Sequence, residues 1–290
     1  MSKILVTGAT GHLGGIVVNE LLQRVDANDI SVLVRDFAKA ADLKAKGVNI
    51  FQGDYDNYAS LVNAFAGIDK LYFVSGSDIA NRLVQHENVV KAAVEAKVGH
   101  IIYTSTRRKS EGDASPLGII VEAHSRTEKF ITESGLAYTI LRHNLYMDIL
   151  PMFMGKVMET GSIFLPAGDG RTSYASRSDL AAAAAVALTT EGHENKTYEF
   201  GGTVSHSFSD IAGILGELSG RTIRYVSPAL QAFNEQMKSF GLPDEAIQTV
   251  GTFCTAIAQG EFDFPSSDLK NMLDRDPQPL KEFLKTTYQL

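Results

Sequence analysis

Glycines at positions 8, 11 and 14 follow a short apolar run, and the stretch Thr7-Gly8-Ala9-Thr10-Gly11-His12-Leu13-Gly14-Gly15 then opens a segment of helical spacing. The pattern is G-x-x-G-x-x-G, not the G-x-G-x-x-G of the common dinucleotide fingerprint, but the physics is shared. Residues without Cβ permit a tight turn and let backbone N–H groups approach a pyrophosphate at the positive end of a helix. Glycines that only cap and pack would leave the same pattern; the strand before and the helix after favour dinucleotide binding.

About twenty residues further on, where the second strand of such a unit ends, Val34 is followed by Arg35 and Asp36. A guanidinium there suits a ribose 2′-phosphate, whereas a carboxylate repels it. The reading is therefore NADPH in preference to NADH; in the alternative, Asp36 grips the ribose and Arg35 points to water. Gly53-Asp54-Tyr55 follows the third strand, where Asp54 either accepts from an adenine amino group or starts a turn on which Tyr55 packs. Ser75-Gly76-Ser77 and Thr104-Ser105 end the fourth and fifth strands, small polar residues that admit a ribose and a nicotinamide.

Carbonyl reductases on a sheet of this kind protonate the nascent alkoxide with a tyrosine followed four residues later by lysine. No tyrosine in this chain has lysine at that offset. His124 and Glu128, one helical turn apart, either relay a proton or form a surface pair. Hydride addition to a quinone yields a weakly basic phenolate-type anion, and addition to a cationic dye yields a neutral product, so such acceptors need a positioned cofactor and little else. Other chemistries fail on spacing. His193-Glu194 lacks the second histidine of a zinc-protease helix, the remaining histidines form no metal-ligand pattern, and no G-x-S-x-G elbow is present.

The elements that must carry these residues alternate. Ile4–Val6, Ile30–Val34, Val48–Phe51, Leu71–Val74, Ile101–Tyr103 and Tyr138–Leu141 read as strands, separated by helical patterns such as Leu13, Val17 and Leu21. Continuously apolar strands between helices predict a doubly wound parallel α/β sheet with helices on both faces. The alanine-rich run from Asp179 and the run Thr197–Phe200 belong on that sheet. The expected dinucleotide-binding domain is 1–150 plus about 174–202, and 151–173 with 203–290 form a smaller C-terminal, substrate-side lobe. Phe153 and Met152 are either apolar walls of an acceptor slot or ordinary core.

The 290 residues carry 27 Lys and Arg against 34 Asp and Glu, a net charge of −7, which gives no general attraction to nucleic acid or to anionic membranes. Arg107, Arg108 and Lys109 form the one cationic run, and Glu111 and Asp113 after it suggest a solvated loop. A single cysteine, Cys254, placed in an irregular tail, excludes an internal disulfide framework. The longest apolar run, Ala181–Leu188, is far short of the roughly 20 residues that span a bilayer, and the expected location is cytoplasmic. The helix face Val89–Val94 either joins a homodimer or packs on the sheet.

With these residues in hand, the sequence resembles the NmrA-like atypical short-chain dehydrogenases, near their quinone-reducing and triphenylmethane-dye-reducing members. The likeness runs through TGATGHLGG at 7–15, VRD at 34–36, GDYDN at 53–57, QHENVVKAA at 85–93, ASPLG at 114–118, AGDG at 167–170, EGHENKTYEF at 191–200 and GLPD at 241–244. The resemblance implies a Rossmann-type fold, NADPH as cofactor and a small aromatic acceptor such as a quinone. It places Gly8, Thr10, Gly11, His12, Leu13 and Gly14 on the pyrophosphate, Arg35 on the 2′-phosphate and Ser75–Ser77 beside the ribose. It also places Arg142, Asn144 and Tyr146 beside the nicotinamide, with His124 or His143 as optional proton source. Relatives usually carry Asn directly after the Arg of that last stretch; here His143 stands there, so either His143 replaces the contact or Asn144 supplies it. The loop Thr106–Ala114 is longer than in the quinone reductases. Some NmrA-like proteins instead bind NADP as redox sensors that control a partner, the alternative to catalysis.

Overall fold

The computed structural model of the chain describes residues 2–110 and 115–290. Its first half runs β1 (Ile4–Thr7), α1 (His12–Leu21), β2 (Ile30–Val34), α2 (Ala41–Ala45), β3 (Asn49–Gln52), α3 (Tyr58–Phe65), β4 (Lys70–Phe73), α4 (Arg82–Glu95), β5 (His100–Thr106), α5 (Gly118–Glu133) and β6 (Ala137–His143). There follow α6 (Leu150–Met154), α7 (Val157–Thr160), β7 (Ser162–Phe164), β8 (Arg171–Thr172), α8 (Arg177–Thr189), β9 (Lys196–Phe200), β10 (His206–Ser207), α9 (Phe208–Ser219), β11 (Arg224–Val226), α10 (Leu230–Ser239), α11 (Asp244–Ala258), α12 (Asp268–Leu273) and α13 (Leu280–Tyr288). The chain divides into two compact units, residues 1–106, 122–143 and 177–199, and residues 107–121, 144–176 and 200–290.

Every residue of β1 and β2 is buried, as expected of strands covered on both faces. The main sheet has the order β3-β2-β1-β4-β5-β6-β9, and the pairs from β3 through to β6 are parallel. The order reverses between β1 and β4, so the carboxyl ends of these two strands flank the switch point where such a sheet holds its ligand. Leu5, Leu33, Leu71, Phe73, Ile101 and Tyr103 pack with Leu61, Phe65, Val89 and Ala93 of α3 and α4 in one core cluster. Elsewhere α1 lies against α8, whose residues Ala181–Ala185 are all buried, small side chains that allow close helix packing.

Several strand ends differ from the sequence expectation. β3 starts at Asn49, and β5 and β6 continue past Tyr103 and Leu141 through Thr104–Thr106 and Arg142–His143. These residues stay in strand through the parallel pairing of β5 with β6, Thr104 opposite Leu141, Ser105 opposite Arg142 and Thr106 opposite His143; the side chains of Thr104, Ser105 and Arg142 find the partners described below. The helix face at Val89–Val94 is split: Val89 and Val90 pack on the sheet, while Val94 is exposed.

The second unit surrounds its own core, which includes Leu150, Phe153, Tyr174, Phe208, Ile211, Leu215, Cys254, Ile257, Phe262 and Leu284. Two small sheets support it, β7 parallel to β11 and β8 antiparallel to β10. At the start of α9, Asp210 N–H donates to Ser207 Oγ (3.1 Å) and Ser207 N–H donates to Asp210 Oδ2 (2.9 Å), a reciprocal capping box. Cys254 lies inside α11, not in an irregular tail, and burial pushes its thiol up to about 12. Phe153 is core beside Phe253, with ring centroids 6.2 Å apart, whereas Met152 is exposed. No helix among the described residues is long and apolar enough to cross a membrane.

The seating of α1 is the tightest point in the first unit: a Cβ on Gly14 would stand 2.3 Å from the carbonyl oxygen of Gly8. Gly14→Ala should therefore destabilise the fold by about 2–3 kcal/mol, because backbone has to move. Gly213, in α9 with nothing within 4 Å of a built Cβ, supplies the control, and Gly213→Ala should stabilise by roughly 0.5–1 kcal/mol. Urea unfolding midpoints of the two variants test this; a shift in the same direction for both would contradict it.

Candidate functional site

The turn after β1 is shaped by its glycines. Gly8 has φ +62°, its carbonyl accepts from Gly11 N–H at 2.9 Å, and a Cβ there would meet Val74 Cβ at 3.1 Å. Gly11 then caps α1 with no side-chain hydrogen bond, and no acidic residue occupies the first turn. The helix thus starts with its N–H groups uncapped by any side chain, which favours negative charge. His12 is exposed in that first turn, whereas Leu13 and Gly14 are buried and seat the helix.

A cavity of about 470 Å³ opens beside this turn, within the first unit. Gly8, Thr10 and Gly11 form its floor; Val34, Arg35 and Lys39 border it after β2, Gly53–Asp56 after β3, and Val74–Asp78 after β4. Nine of the expected cofactor residues meet here: Gly8, Thr10, Gly11, Arg35, Asp54, Tyr55, Ser75, Gly76 and Ser77. Asp36 does not line the cavity, since its Oδ1 accepts from Ala38 N–H at 2.9 Å. Lys39, which the sequence reading missed, stands with Arg35 on the same border; its signal was a second cation four residues after the first.

Both sequence alternatives at Asp54 have structural expression. It lines the cavity, and its Oδ1 accepts from Asp56 N–H (3.1 Å), so it also starts a turn. Tyr55 Oη lies 2.6 Å from Thr7 Oγ1 and 2.8 Å from Val74 O, tying the loop after β3 to the ends of β1 and β4. Thr104 Oγ1 accepts from Ser75 N–H (2.8 Å), so Thr104 supports the cavity wall from behind.

The remaining expected residues stand outside this cavity's lining. Ser105 Oγ donates to Glu128 Oε1 at 2.5 Å. Arg142 forks onto Glu128, Nε to Oε1 at 3.0 Å and Nη2 to Oε2 at 2.6 Å, while Nη1 donates to Glu199 at 3.0 Å. Glu128 above all, then Glu199, makes the guanidinium hold its proton more firmly than usual. His124 and Glu128 are not a surface pair: both are buried, and His124 Nδ1 lies 2.7 Å from Tyr103 Oη. Burial raises the Tyr103 hydroxyl far above its ordinary value. His143 is buried, and desolvation lowers it to about 3, so it carries no extra proton near neutrality.

Asn144 and Tyr146 belong to the second unit. Asn144 Nδ2 donates to Ser173 Oγ (2.6 Å) and Phe262 O (3.1 Å), and its Oδ1 accepts from Leu145 N–H (2.8 Å). Tyr146 bridges Ala175 through the backbone. The cationic run is not a solvated loop: Arg107 lies 3.9 Å over the Phe264 ring, Arg108 is buried, and only Lys109 is exposed. Glu111, Asp113 and the end of the loop at Ala114 lie outside the described residues.

The sequence matches the NmrA-like family over residues 1–284. The chain belongs to the NmrA-like family. It is 36% identical over 279 residues to Quinone oxidoreductase 2 of Escherichia coli (strain K12), covering 96% of each chain. It is 32% identical over 241 residues to an NAD(P)H azoreductase of Xenophilus azovorans, covering 83% of this chain and 82% of that one. Among solved structures it superposes with a TM-score of 0.90, at 38% identity, on the Citrobacter sp. triphenylmethane reductase complexed with NADP(H), covering 98% of this chain and 99% of that one. In keeping with that family, its 7-stranded central sheet flanked by helices is a Rossmann-like α/β fold.

The buried histidines give this site a pH signature. Desolvation lowers both His86 and His143 from the ordinary 6.5 to about 3. Their folded values lie below the unfolded one, so between 6.5 and about 3 the unfolded chain binds protons that the folded chain refuses, and stability falls as pH falls. Going from about pH 7 to about pH 5 should remove about 2 kcal/mol for each of the two. His143→Asn should reduce, without abolishing, the accompanying drop in urea midpoint, since burial also lowers His100, His193 and His206; equal midpoints at the two pH values would refute the assignment.

Proposed function

We propose that this chain is an NADPH-dependent reductase that delivers hydride to a quinone or a similar electron-poor aromatic acceptor. One observation carries the reading: a cavity at the sheet's switch point has a helix N-terminus uncapped by side chains at its floor and two cations, Arg35 and Lys39, on its border. Pyrophosphate fits the first and a 2′-phosphate the second. The cradle would not survive side chains at Gly8 or Gly14, which supports close approach of backbone to a ligand.

Bound NADPH would supply the hydride. The N–H groups at the start of α1 neutralise the pyrophosphate, and Arg35 with Lys39 selects the phosphorylated ribose. The Ser75–Ser77 backbone, supported by Thr104, forms a wall of small residues along the remainder of the cofactor. The named relatives suggest the acceptor class, since quinones, azo compounds and triphenylmethane dyes are all conjugated and electron-poor. A quinone takes hydride to become a hydroquinone monoanion, and one further proton from water completes it. No tyrosine with lysine four residues on is required for that step.

The test is loss of NADPH absorbance with a small benzoquinone and, separately, a triarylmethane dye, each beside an NADH control. The wild type should turn over with NADPH preferred. Arg35→Ser should raise KM for NADPH roughly 10–100-fold, and Arg35→Ser with Lys39→Ala further, with kcat and the NADH parameters nearly unchanged. Tight NADPH binding without turnover on either acceptor would replace catalysis with a redox-sensing role. Equal use of NADH and NADPH would remove the function assigned to the two cations.

A further inference from the structure

The motif at 85–93 contributes only Gln85 to the cavity lining, yet α4 meets that cavity's walls from behind. Gly76, in the wall after β4, has both of its polar backbone groups captured: its N–H donates to His86 Nε2 at 2.9 Å, and its C=O accepts from Arg82 Nε at 2.7 Å. Arg82 and His86 are one turn apart on α4, and both are buried. A Cβ on Gly76 would lie 3.2 Å from Gln85 Oε1, so the loop sits close upon the helix. The same stretch reaches the other wall, Gln85 Nε2 donating to Asp56 Oδ2 (3.0 Å) and Asn88 Nδ2 to Tyr55 O (3.0 Å).

The hydrogen bonds fix the imidazole's tautomer. Because Nε2 accepts from Gly76 N–H, it carries no proton, and the neutral ring must carry its proton on Nδ1. Nδ1 lies 2.8 Å from Thr127 Oγ1, and the Thr127 hydroxyl donates to Ala123 O at 2.7 Å, leaving its oxygen free to accept. The donors run in one direction, from Gly76 N–H to His86, from His86 to Thr127, and from Thr127 to the carbonyl one turn back on α5. The Phe73 ring, centroid 4.8 Å away and edge-on, and the Tyr103 ring at 5.7 Å hold the imidazole against a flip. Burial and the Arg82 charge keep the ring neutral, its pKa lowered to about 3.

We propose that His86, locked as the Nδ1–H tautomer by Thr127, is a positioning residue for the cofactor: by holding the Gly76 peptide it sets the Ser75–Ser77 wall against which NADPH binds. The inference rests on the NADPH reading above. His86 touches no reacting atom; it acts through Gly76. Replacing Thr127 removes the close acceptor of the Nδ1 proton and leaves only the Tyr103 hydroxyl, 3.5 Å from Nδ1; the Nδ1–H tautomer loses support, and a ring protonated on Nε2 would set N–H against N–H at Gly76.

Three variants test this: Thr127→Val, which keeps shape and loses the hydroxyl; His86→Leu, which loses the acceptor; and His86→Gln, whose amide oxygen can still accept from Gly76. The readouts are hydrogen exchange of the Gly76 amide without cofactor, Kd for NADPH by titration, and the split between KM and kcat with a benzoquinone. Thr127→Val and His86→Leu should each lose Gly76 protection and weaken NADPH binding about tenfold, mainly in Kd and KM. His86→Gln should recover most of both. Unchanged protection and unchanged Kd in Thr127→Val and His86→Leu, with a wild type that binds NADPH, overturn the proposal alone. A wild type that fails to bind NADPH overturns the cofactor reading, and the proposed role of the wall with it.

Discussion

The first unit is organised by one contact, the approach of α1 to the carbonyl of Gly8. No side chain fits between Gly14 and that oxygen, so the helix sits directly on the turn that follows β1. Two consequences follow from the same geometry. The helix start comes to the switch point with no side-chain cap, and its macrodipole is aimed where a ligand phosphate can settle. The other end of the constraint is α8, whose alanines allow it to lie close to α1. A bulkier helix there would push α1 toward the turn, and the cavity beside it would narrow.

A second layer of polar groups stands behind the cavity and gives the wall its shape. Ser75 hangs from Thr104, Gly76 from His86 and Arg82, Asp56 from Gln85, and the Tyr55 carbonyl from Asn88. Buried polar groups of this kind are costly unless each finds a partner with good geometry. Here each bond named ends on the backbone or side chain of a cavity loop, so the cost of burial is spent on fixing loop position. The cluster of Ser105, Glu128, Arg142 and Glu199 works in the same way for the ends of β5, β6 and β9. Such a cluster is weak evidence for stability; its effect is to fix geometry.

The sequence displays the first layer and conceals the second, for a physical reason. Strands buried on both faces are continuously apolar, and glycines at a phosphate turn have a local cause, so β1, β2, the 8–11 turn and Arg35 could all be read from neighbouring residues. The polar ends of β5 and β6 could not, because Thr104, Ser105 and Arg142 are polar where buried strands are apolar, and their side chains are satisfied by partners far along the chain. His124 and Glu128 have the spacing of a surface pair, but each is drawn inward by a different residue, Tyr103 and Arg142. Arg107 and Arg108 carry the composition of a solvated loop, yet a ring face and burial claim them. Charge reports solvent exposure only on average, and at this site tertiary partners decide.

Proton inventory ties the second layer to the proposed chemistry. His86 and His143 are held neutral by desolvation, and Tyr103 by the same effect keeps its hydroxyl proton far beyond its ordinary range. Groups so placed do not exchange protons readily near neutrality, and a ketone, whose reduction leaves a strongly basic alkoxide, would need one that does. A quinone does not, because its reduced anion is weakly basic and water suffices. The features that hold the cavity wall, buried neutral imidazole and buried phenol, are thus compatible with the proposed acceptor class, which takes hydride without a protein proton donor.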